Sequence, residues 1–336
     1  MKIRLGTFNL FQFVEPPYSW YVKHDKFSPI QWEEKSTWIK NQIELMNCDI
    51  IGFQEVFSKK ALRDMLKELG FKYFKTIDSA KTSKRNDKIY VSTIVALASK
   101  FPIVNMKRVE VDFLSLKKHH FKGFFKFARE PLKAQVILPN KQKIQIYVCH
   151  LKSNRDNEFE YVFTKNDTLE QKREKVSIAL KDKYSEALKQ RLCEATSLFK
   201  DIKNSEDLPT ILMTDLNDKE FSMTIEALSN KRYHEEMDED KFLLVDAYHQ
   251  FERVIYNPHP EQKEIPRTPT SYFAGKGNVL DYIFISNHFN KNVENHMAKV
   301  NDYEILDTHL QKNSNGSLLQ SDHAQVVCEL KFNKSI

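Results

Sequence analysis

The chain has 336 residues, of which 41% are hydrophobic and 29% are charged. That is enough apolar sequence for a large core, yet no apolar run approaches the length of about 18 residues that a membrane-spanning helix needs. The net charge is +6, which is compatible with a polyanionic partner without requiring one. No composition shift marks a boundary, so we expect one domain over residues 1–336.

The first half of the chain alternates apolar strands with amphipathic helices. Hydrophobic spacing and the turn residues between segments predict their order. In chain order the segments are a strand over 2–9, an aromatic-rich loop over 10–30, a helix over 31–47, a strand over 49–54, a helix over 59–69, a basic loop over 78–88, a strand over 89–98 and a hairpin of strands 132–138 and 143–149. We expect the aromatic side chains of the first loop to pack over the core, with stacking on bases or on a lipid beside a site as the alternative.

The second half of the chain contains three predicted strands, and the first of them ends in a short polar motif that begins at Asp215. The apolar run before Asp215 is typical of a buried strand that delivers polar groups to the rim of a sheet. The predicted segments are a helix over 185–203, a strand ending at 213, a helix over 221–229, strands over 279–286 and 324–332, and an irregular stretch over 302–320.

Two segments have unusual charge patterns. Segment 117–129 mixes five Lys and Arg residues with aromatic side chains. This pattern suits a groove wall that faces phosphates, and equally a solvated face whose lysine stems cover apolar surface. Residues 152–182 are highly charged and predict a surface insertion with helical parts.

The four cysteines are widely spaced and have no neighbouring Cys or His at the spacing of a zinc site. Three lie in or beside apolar runs, so we expect buried free thiols. Met1 and Lys2 lead directly into an alternating strand, without the apolar stretch of a signal peptide. We therefore expect a cytoplasmic protein, with export by a different signal left open.

Polar residues recur where apolar strands begin or end. The positions after strands are Asn9, Glu55, His150, Asp215 and Asn217, and those at or just before the starts of strands are Asp281, Asp322 and His323. If the last two strands run antiparallel to the others, all these side chains meet at one edge of the sheets. Taken singly, each residue fits a surface carboxylate, a core histidine or a turn, but their agreement argues against coincidence.

The residue types at these positions indicate a chemistry. Carboxylates without Cys ligands select a hard cation such as Mg²⁺ or Mn²⁺. A His beside an Asp suits proton transfer, and Asn or Arg side chains suit a phosphoryl group. Together they predict metal-assisted attack of water on a phosphate ester.

Seven short motifs resemble the endonuclease/exonuclease/phosphatase superfamily and follow its order over nearly the whole chain. They are 7-TFN-9, 49-DIIGFQEV-56, 129-REPL-132, 150-HLKS-153, 214-TDLND-218, 280-LDYIFIS-286 and 321-SDHAQVV-327. The resemblance implies a four-layer α/β/β/α sandwich of two packed mixed sheets flanked by helices. It also implies a divalent-metal-dependent phosphoesterase. The His-Leu-Lys-Ser form of the fourth motif is most similar to a bacterial subgroup.

The resemblance also implies roles for individual residues. It places Glu55, Asn9 and Asp322 at the metal ion, and Asp215 as the group that orients or deprotonates the attacking water. It pairs His323 with Asp281, so that His323 stabilises charge on the phosphate or the leaving group. It places Asn217, His150 and Arg129 in contact with the phosphate, and His150 is also a candidate acid. Thr214 stands where the family usually has Gly, and we do not expect this difference to abolish activity.

Three functions remain open from the sequence. The first hypothesis is a nuclease acting on DNA or RNA, which the basic-aromatic segments 81–88 and 117–129 favour. The alternative is a phosphatase or phospholipase-type esterase acting on a phosphoinositide, sphingomyelin or another small phosphate ester. The third is a binding or scaffold protein that keeps the fold without the reaction, and the presence of every polar group the reaction needs argues against it.

Overall fold

The computed structural model describes residues 1–153, 162–181, 186–205, 207–234, 240–253, 266–310 and 319–333. Two six-stranded sheets dominate it. Sheet 1 contains, from edge to edge, β16 (Ala298–Leu306), β17 (Gln325–Phe332), β1 (Lys2–Phe13), β3 (Ile50–Val56), β7 (Ile94–Ser99) and β4 (Tyr73–Lys75). Sheet 2 contains β12 (Leu244–Asp246), β15 (Asp281–Ser286), β11 (Thr210–Asp215), β10 (Lys143–His150), β9 (Leu132–Ile137) and β8 (Ile103–Arg108).

Helices and short strands surround the two sheets. One hydrophobic cluster joins sheet 1 to α1 (Pro29–Met46) and α2 (Lys59–Glu68). Another joins sheet 2 to α3 (Phe113–Lys118), α4 (Leu169–Ala179), α5 (Glu186–Asn204) and α6 (Met223–Ser229). The short strands are β2 (Ser19–Trp20), β5 (Thr82–Ser83) and β6 (Asn86–Tyr90), which form a small sheet, and the hairpin strands β13 (Ser271–Phe273) and β14 (Lys276–Asn278). The predicted four-layer α/β/β/α sandwich is confirmed.

The side chains of β10 show how the sequence builds these layers. Ile144, Ile146 and Val148 belong to the cluster between the two sheets. The alternate residues Tyr147 and Cys149 belong to the cluster beneath α5. Because successive side chains of a strand point to opposite faces, a strand covered on both faces is apolar at nearly every position.

The strand directions bring the predicted positions to one edge. β1 and β3 are parallel, as are β10 and β11. β17 runs antiparallel to β1, and β15 runs antiparallel to β11. The starts of the last two strands therefore lie beside the ends of the others, as the sequence predicted.

The first strand is longer than the predicted 2–9, because β1 continues past Asn9 to Phe13. A register shift between Asn9 and Phe13 interrupts its pairing with β3. Phe11 and Gln12 have φ of 48° and 61° there, and Glu55 in the matching irregularity of β3 has φ of 57°. Such bulges re-aim side chains at the rim of a sheet.

Two other predicted boundaries were wrong. The stretch 302–320 is not irregular throughout, because β16 covers its first part and pairs with β17; residues 311–318 lie outside the described part. The basic loop over 78–88 contains β5 and most of β6, while the strand predicted over 89–98 is mainly β7, which starts at Ile94. Both errors come from short or polar strands, whose apolar alternation is weak.

Part of the charged segment 152–182 packs against the body of the protein. α4 lies within it, and its Leu169 and Val176 join the cluster beneath sheet 2. The stretch 154–161 and residue 182 lie outside the described residues.

All four cysteines are buried and unpaired, as predicted. Trp20 and Phe27 from the aromatic loop pack with Val14 and Phe57 in a separate cluster, which confirms a packing role for part of that loop. In the described part of the chain, no helix combines the length and the apolar character needed to cross a membrane.

Candidate active site

A cavity of about 590 Å³ lies at the edge where the strand ends meet. Two of the nine predicted site residues, Asn9 and Asp281, lie beneath the cavity. Asn9 is hydrogen-bonded to Asp215, and Asp281 is hydrogen-bonded to His323. The other seven line the cavity directly: Glu55, Arg129, His150, Asp215, Asn217, Asp322 and His323. The fold thus gathers all nine positions in one place.

Asp215, the last residue of β11, is at the centre of the site. Its Oδ2 accepts a hydrogen bond from Asn9 Nδ2 at 2.9 Å. Nε2 of His150 lies 3.3 Å from the same oxygen, and Nε2 of His323 lies 4.0 Å from it. The other carboxylate oxygen accepts from the backbone N–H of Asn217 at 2.8 Å. Burial raises the pKa of Asp215 to about 7, against the opposing charge of His323.

His323 is held between two carboxylates. Its Nδ1 lies 2.7 Å from Asp281 Oδ2, and both side chains are buried. Burial alone would lower the pKa of His323, but the carboxylates of Asp281 and Asp215 raise it well above its usual value. The backbone N–H of Asp281 donates to Thr270 Oγ1 at 3.1 Å, which helps to fix the start of β15. The raised pKa favours the imidazolium form, whose Nδ1–H donates to Asp281.

Asp215, Asp281 and His323 also form the one group among the described residues whose His and carboxylate atoms, within 4.8 Å of one another, could surround a metal ion. A protonated imidazole has no lone pair to offer a metal. In its protonated form His323 cannot serve as a metal ligand, whereas the carboxylates of Asp215 and Asp281 can.

A second set of oxygen atoms lies around Glu55. Its Oε2 accepts a hydrogen bond from the backbone N–H of Gln12 at 3.0 Å, across the two bulges. Asp322 lines the same cavity. Lys35 is fully buried and donates from Nζ to the backbone oxygen of Gln320 at 2.8 Å. Burial lowers the pKa of Lys35 to about 7, against the opposing charges of Asp322 and Glu55.

Arg129 and Asn217 are tied to the same backbone carbonyl. Arg129 Nη1 and Asn217 Nδ2 donate to the oxygen of Leu151 at 2.9 and 3.1 Å. Asn217 has φ of 51°, a conformation that Asn tolerates better than most residues. Two side chains that can bind an anion are thus fixed on the wall of the cavity.

Sequence reasoning missed several residues that support the site. Ser321 Oγ donates to the oxygen of Asn9 at 2.7 Å and accepts from the backbone N–H of His323 at 3.0 Å. Ser321 was visible as the first residue of the last motif. Lys35 shares the buried face of α1 with Ile39. A lysine at a position where the helical pattern expects an apolar residue was the available signal.

The rim of the cavity is aromatic on two sides. Phe11, Trp20 and Tyr21 lie on one side, and Tyr272 and Phe273 come from the β13–β14 hairpin. Tyr21 is 47% exposed and Phe273 is 48% exposed. The aromatic loop therefore serves the cavity as well as the core, and the prediction of packing alone was incomplete.

Comparison with known proteins adds a family match. The model of a family described as Endonuclease/Exonuclease/phosphatase family matches residues 6–323. No curated protein sequence matches the chain.

Several solved structures share the fold. The human Nocturnin catalytic domain with a bound sulfate anion is 17% identical with a TM-score of 0.55, over 99% of this chain and 94% of that one. D. rerio TDP2 complexed with a single-strand DNA product is 12% identical with a TM-score of 0.52, over 98% of this chain and 99% of that one. An endonuclease/exonuclease/phosphatase from Beutenbergia cavernae is 14% identical with a TM-score of 0.52, over 98% of this chain and 72% of that one.

Proposed function

The chain belongs to the endonuclease/exonuclease/phosphatase family, and from that premise we propose that it is a Mg²⁺- or Mn²⁺-dependent phosphodiesterase that cleaves DNA or RNA. One observation carries the proposal. The buried carboxylate of Asp215 lies at the cavity with two histidine nitrogens within 4.0 Å of one of its oxygens. Such a group can take a proton while its neighbours supply positive charge.

The oxygen-rich side of the cavity suits a hard divalent cation. Glu55 and Asp322 contribute carboxylates to it, and no cysteine is among the described lining residues. Carboxylate and amide oxygens favour Mg²⁺ or Mn²⁺ over softer metals. We assign Glu55 and Asp322 to the ion, with Asn9 beside them. When bound, a divalent ion neutralises negative charge on a phosphate oxygen.

Asp215 is the group to activate water. Its pKa of about 7 lies close to the working pH, which is the best compromise for a general base. Asn9 and the backbone of Asn217 hold its two oxygens by hydrogen bonds, so the carboxylate is fixed in orientation before substrate arrives. A water bound against it would lose its proton to Asp215 as it attacks phosphorus.

Negative charge builds up on the phosphate oxygens during attack, so the reaction also needs positive charge or a proton donor. His323 and His150 can supply these. His323 has a raised pKa and is oriented by Asp281. It can stabilise the phosphate oxygens or give a proton to the leaving group. His150 lines the same cavity and can contact the phosphate or act as an acid. Arg129 and Asn217 supply further donors for the phosphate.

Two features favour nucleic acid over a small phosphate ester. The cavity has aromatic side chains on two sides, and aromatic rings stack on bases of any sequence. One protein with this fold, D. rerio TDP2, was crystallised with a single-strand DNA product.

The test uses two substrates in parallel, plasmid DNA and a bis-aryl phosphodiester, each with Mg²⁺, with Mn²⁺ and with EDTA. Asp215→Asn keeps the shape of the side chain but is a far weaker base, so we expect its rate to fall by about 10²-fold or more. Asp64→Asn is the matched control, because Asp64 is an exposed aspartate on α2. Circular dichroism checks that both variants fold.

The outcomes separate the functions left open by the sequence. Metal-dependent cleavage of both substrates that Asp215→Asn loses and Asp64→Asn keeps supports the nuclease. Cleavage of the small ester alone moves the assignment to a phosphatase or phospholipase-type esterase. No cleavage of either substrate, with metal present, would overturn the proposal and favour a binding role.

A further inference from the structure

A second groove of about 500 Å³ adjoins the catalytic cavity. The two spaces share Tyr21, Arg129 and Ser153 as lining residues. We call the second space the side groove. Its lining includes Tyr21, Phe124, Lys126, Arg129, Lys152 and Ser153. Because Arg129 lines both spaces, a ligand at the catalytic cavity can extend directly into the side groove.

The backbone of the side groove is fixed by one buried carboxylate. Glu194 on α5 is fully buried and accepts hydrogen bonds from the backbone N–H groups of Ala128 at 2.6 Å and Lys152 at 2.8 Å. Gln190 donates to Glu194 at 2.9 Å and to the backbone oxygen of Lys126 at 2.9 Å. The helix therefore holds two separate segments of the groove in place, and a ligand would meet a preformed site.

The side groove exposes two aromatic side chains, Tyr21 and Phe124. Phe125 and Phe127 are buried and meet edge to face at 5.7 Å between centroids, which anchors their segment. Phe124, which immediately precedes Phe125 in the chain, is 89% exposed, and Tyr21 is 47% exposed. Large apolar side chains clustered at the surface beside a site mark a place of contact with a ligand.

The charge of the side groove is positive. Lys126, Arg129 and Lys152 contribute three cations, against one carboxylate from Glu186. Lys126 and Lys152 are exposed, so a polyanion can reach both. Cations set among exposed aromatic rings match a ligand that carries both phosphates and flat bases.

We propose that the side groove binds the strand that continues from the scissile phosphate of a single-stranded nucleic acid. This inference rests on the phosphodiesterase function proposed above. Tyr21 and Phe124 present ring faces to unpaired bases, while Lys126 and Lys152 contact the phosphates. A duplex keeps its base faces stacked inside, so the side groove favours single strands over duplexes.

The test is a binding measurement that does not depend on catalysis. Fluorescence anisotropy with EDTA present compares labelled oligo-dT, labelled oligo-rU and a labelled DNA duplex of equal length. We expect Phe124→Ala to weaken binding of the single strands at least about fivefold, since stacking contributes about 1–3 kcal/mol per base. Phe113→Ala is the matched control, because Phe113 is 78% exposed on α3 and lines neither space.

The Lys126→Ala variant tests the phosphate contact separately. The slope of log affinity against log salt should fall by about 0.7 for the loss of one phosphate contact to a single strand. Tighter binding of either single strand than of duplex, weakened by Phe124→Ala and not by Phe113→Ala, supports the inference and tells DNA from RNA.

Equal affinities of the Phe124→Ala and Phe113→Ala variants, tighter binding of the duplex, or no binding of any oligonucleotide would overturn the side-groove inference. The hydrolysis experiment reports on the proposed function independently, because its bis-aryl substrate carries no bases or continuing strand for the side groove to bind.

Discussion

The buried side chain of Lys35 connects helix α1 to the candidate active site. Its Nζ lies 5.7 Å from the ring centre of Phe11 and 5.5 Å from that of Phe27. Its hydrogen bond to the oxygen of Gln320 holds the turn before Asp322 against α1. A buried ammonium persists only where opposite charge and hydrogen bonds offset its loss of water.

Replacing Lys35 with Met tests this link. The variant removes the positive charge that faces Glu55 and Asp322, so we expect stability in EDTA to fall by on the order of 2 kcal/mol. Mg²⁺ should then raise Tm more in the variant than in the wild type, because a cation bound only to the folded state stabilises it in proportion to its affinity. Thermal unfolding with EDTA and with Mg²⁺, at a pH below the Lys35 pKa of about 7, measures both effects.

Lys40→Met is the control for this prediction. Lys40 lies on the same helix, and its side chain is 39% exposed where it pairs with Glu68. Its loss should change neither the stability in EDTA nor the response to Mg²⁺ measurably, because an exposed ion pair contributes little. An equal gain in Tm from Mg²⁺ in both variants would show that Lys35 does not act on the carboxylates of Glu55 and Asp322.

The candidate site was readable from sequence where a polar residue ends an apolar strand. His150 and Asp215 are of this kind, and so are the carboxylates that begin the returning strands. The sequence did not predict the orientation of the Glu55 side chain. Its orientation depends on the backbone of Gln12 across two bulges, and no glycine marks either bulge, because the positive φ angles fall on Phe11, Gln12 and Glu55.

At the scale of elements, the two sheets approach closely at β3. A Cβ atom on Gly52 would lie 3.0 Å from Met213 Cβ and 3.1 Å from both Cγ atoms of Val148. Both neighbours belong to strands of sheet 2, whose backbones have little room to move. Gly52 is therefore required by the contact between the sheets, three residues before Glu55.

Gly52→Ala should lower the free energy of unfolding by about 1–3 kcal/mol, the usual cost of forcing a methyl group into a packed core. Gly6→Ala is the comparison, because the nearest atom to its added methyl is the flexible end of the Met46 side chain. Urea unfolding of both variants measures the difference. A larger loss in Gly6→Ala would show that the sheets can separate more easily than the side chain of Met46 can turn.

The elements that sequence predicted well are those buried on both faces, such as β10, β11 and β15. Their apolar pattern is continuous because packing requires it on each side. β16 was missed because it is an edge strand, most of whose residues are only partly buried or exposed. Lys299, Asn301 and Glu304 interrupt its pattern, and polar residues are common on exposed sheet edges. The pairing with β17 decides its structure, and pairing is not visible in one segment alone.

At the scale of the whole molecule, buried histidines set how stability depends on pH. His119 and His234 lie in the layer beside α5, and burial lowers the pKa of each to about 4. His234 stacks on Phe199 at 4.0 Å between ring centroids. His323, Asp215 and Glu194 have raised pKa values and so act in the opposite direction. The contribution of His119 and His234 should lower stability in mild acid.

The direction of this pH dependence follows from the numbers of protons that the unfolded and folded states bind. In the unfolded chain His119 titrates near its ordinary pKa of about 6.5, and in the folded chain at about 4. Between these values the unfolded state binds more protons, so the free energy of unfolding rises with pH. The contribution is fully present above the unfolded pKa and is lost as the pH falls toward the folded one. For His119 it amounts to about 3 kcal/mol at most.

His119→Gln should flatten this dependence. The ring nitrogen Nε2 of His119 lies 3.1 Å from the hydroxyl of Tyr233 and 3.3 Å from Thr196 Oγ1, and a Gln amide can bond to the same partners without titrating. Urea unfolding at several pH values from 7.5 down to about 4.5 measures the slope. His24→Gln is the control, because the His24 side chain is 85% exposed and should leave the slope unchanged. If His119→Gln keeps the full wild-type slope, protonation of His119 is not what destabilises the fold in acid, and the dependence must come from His234 or the carboxylates.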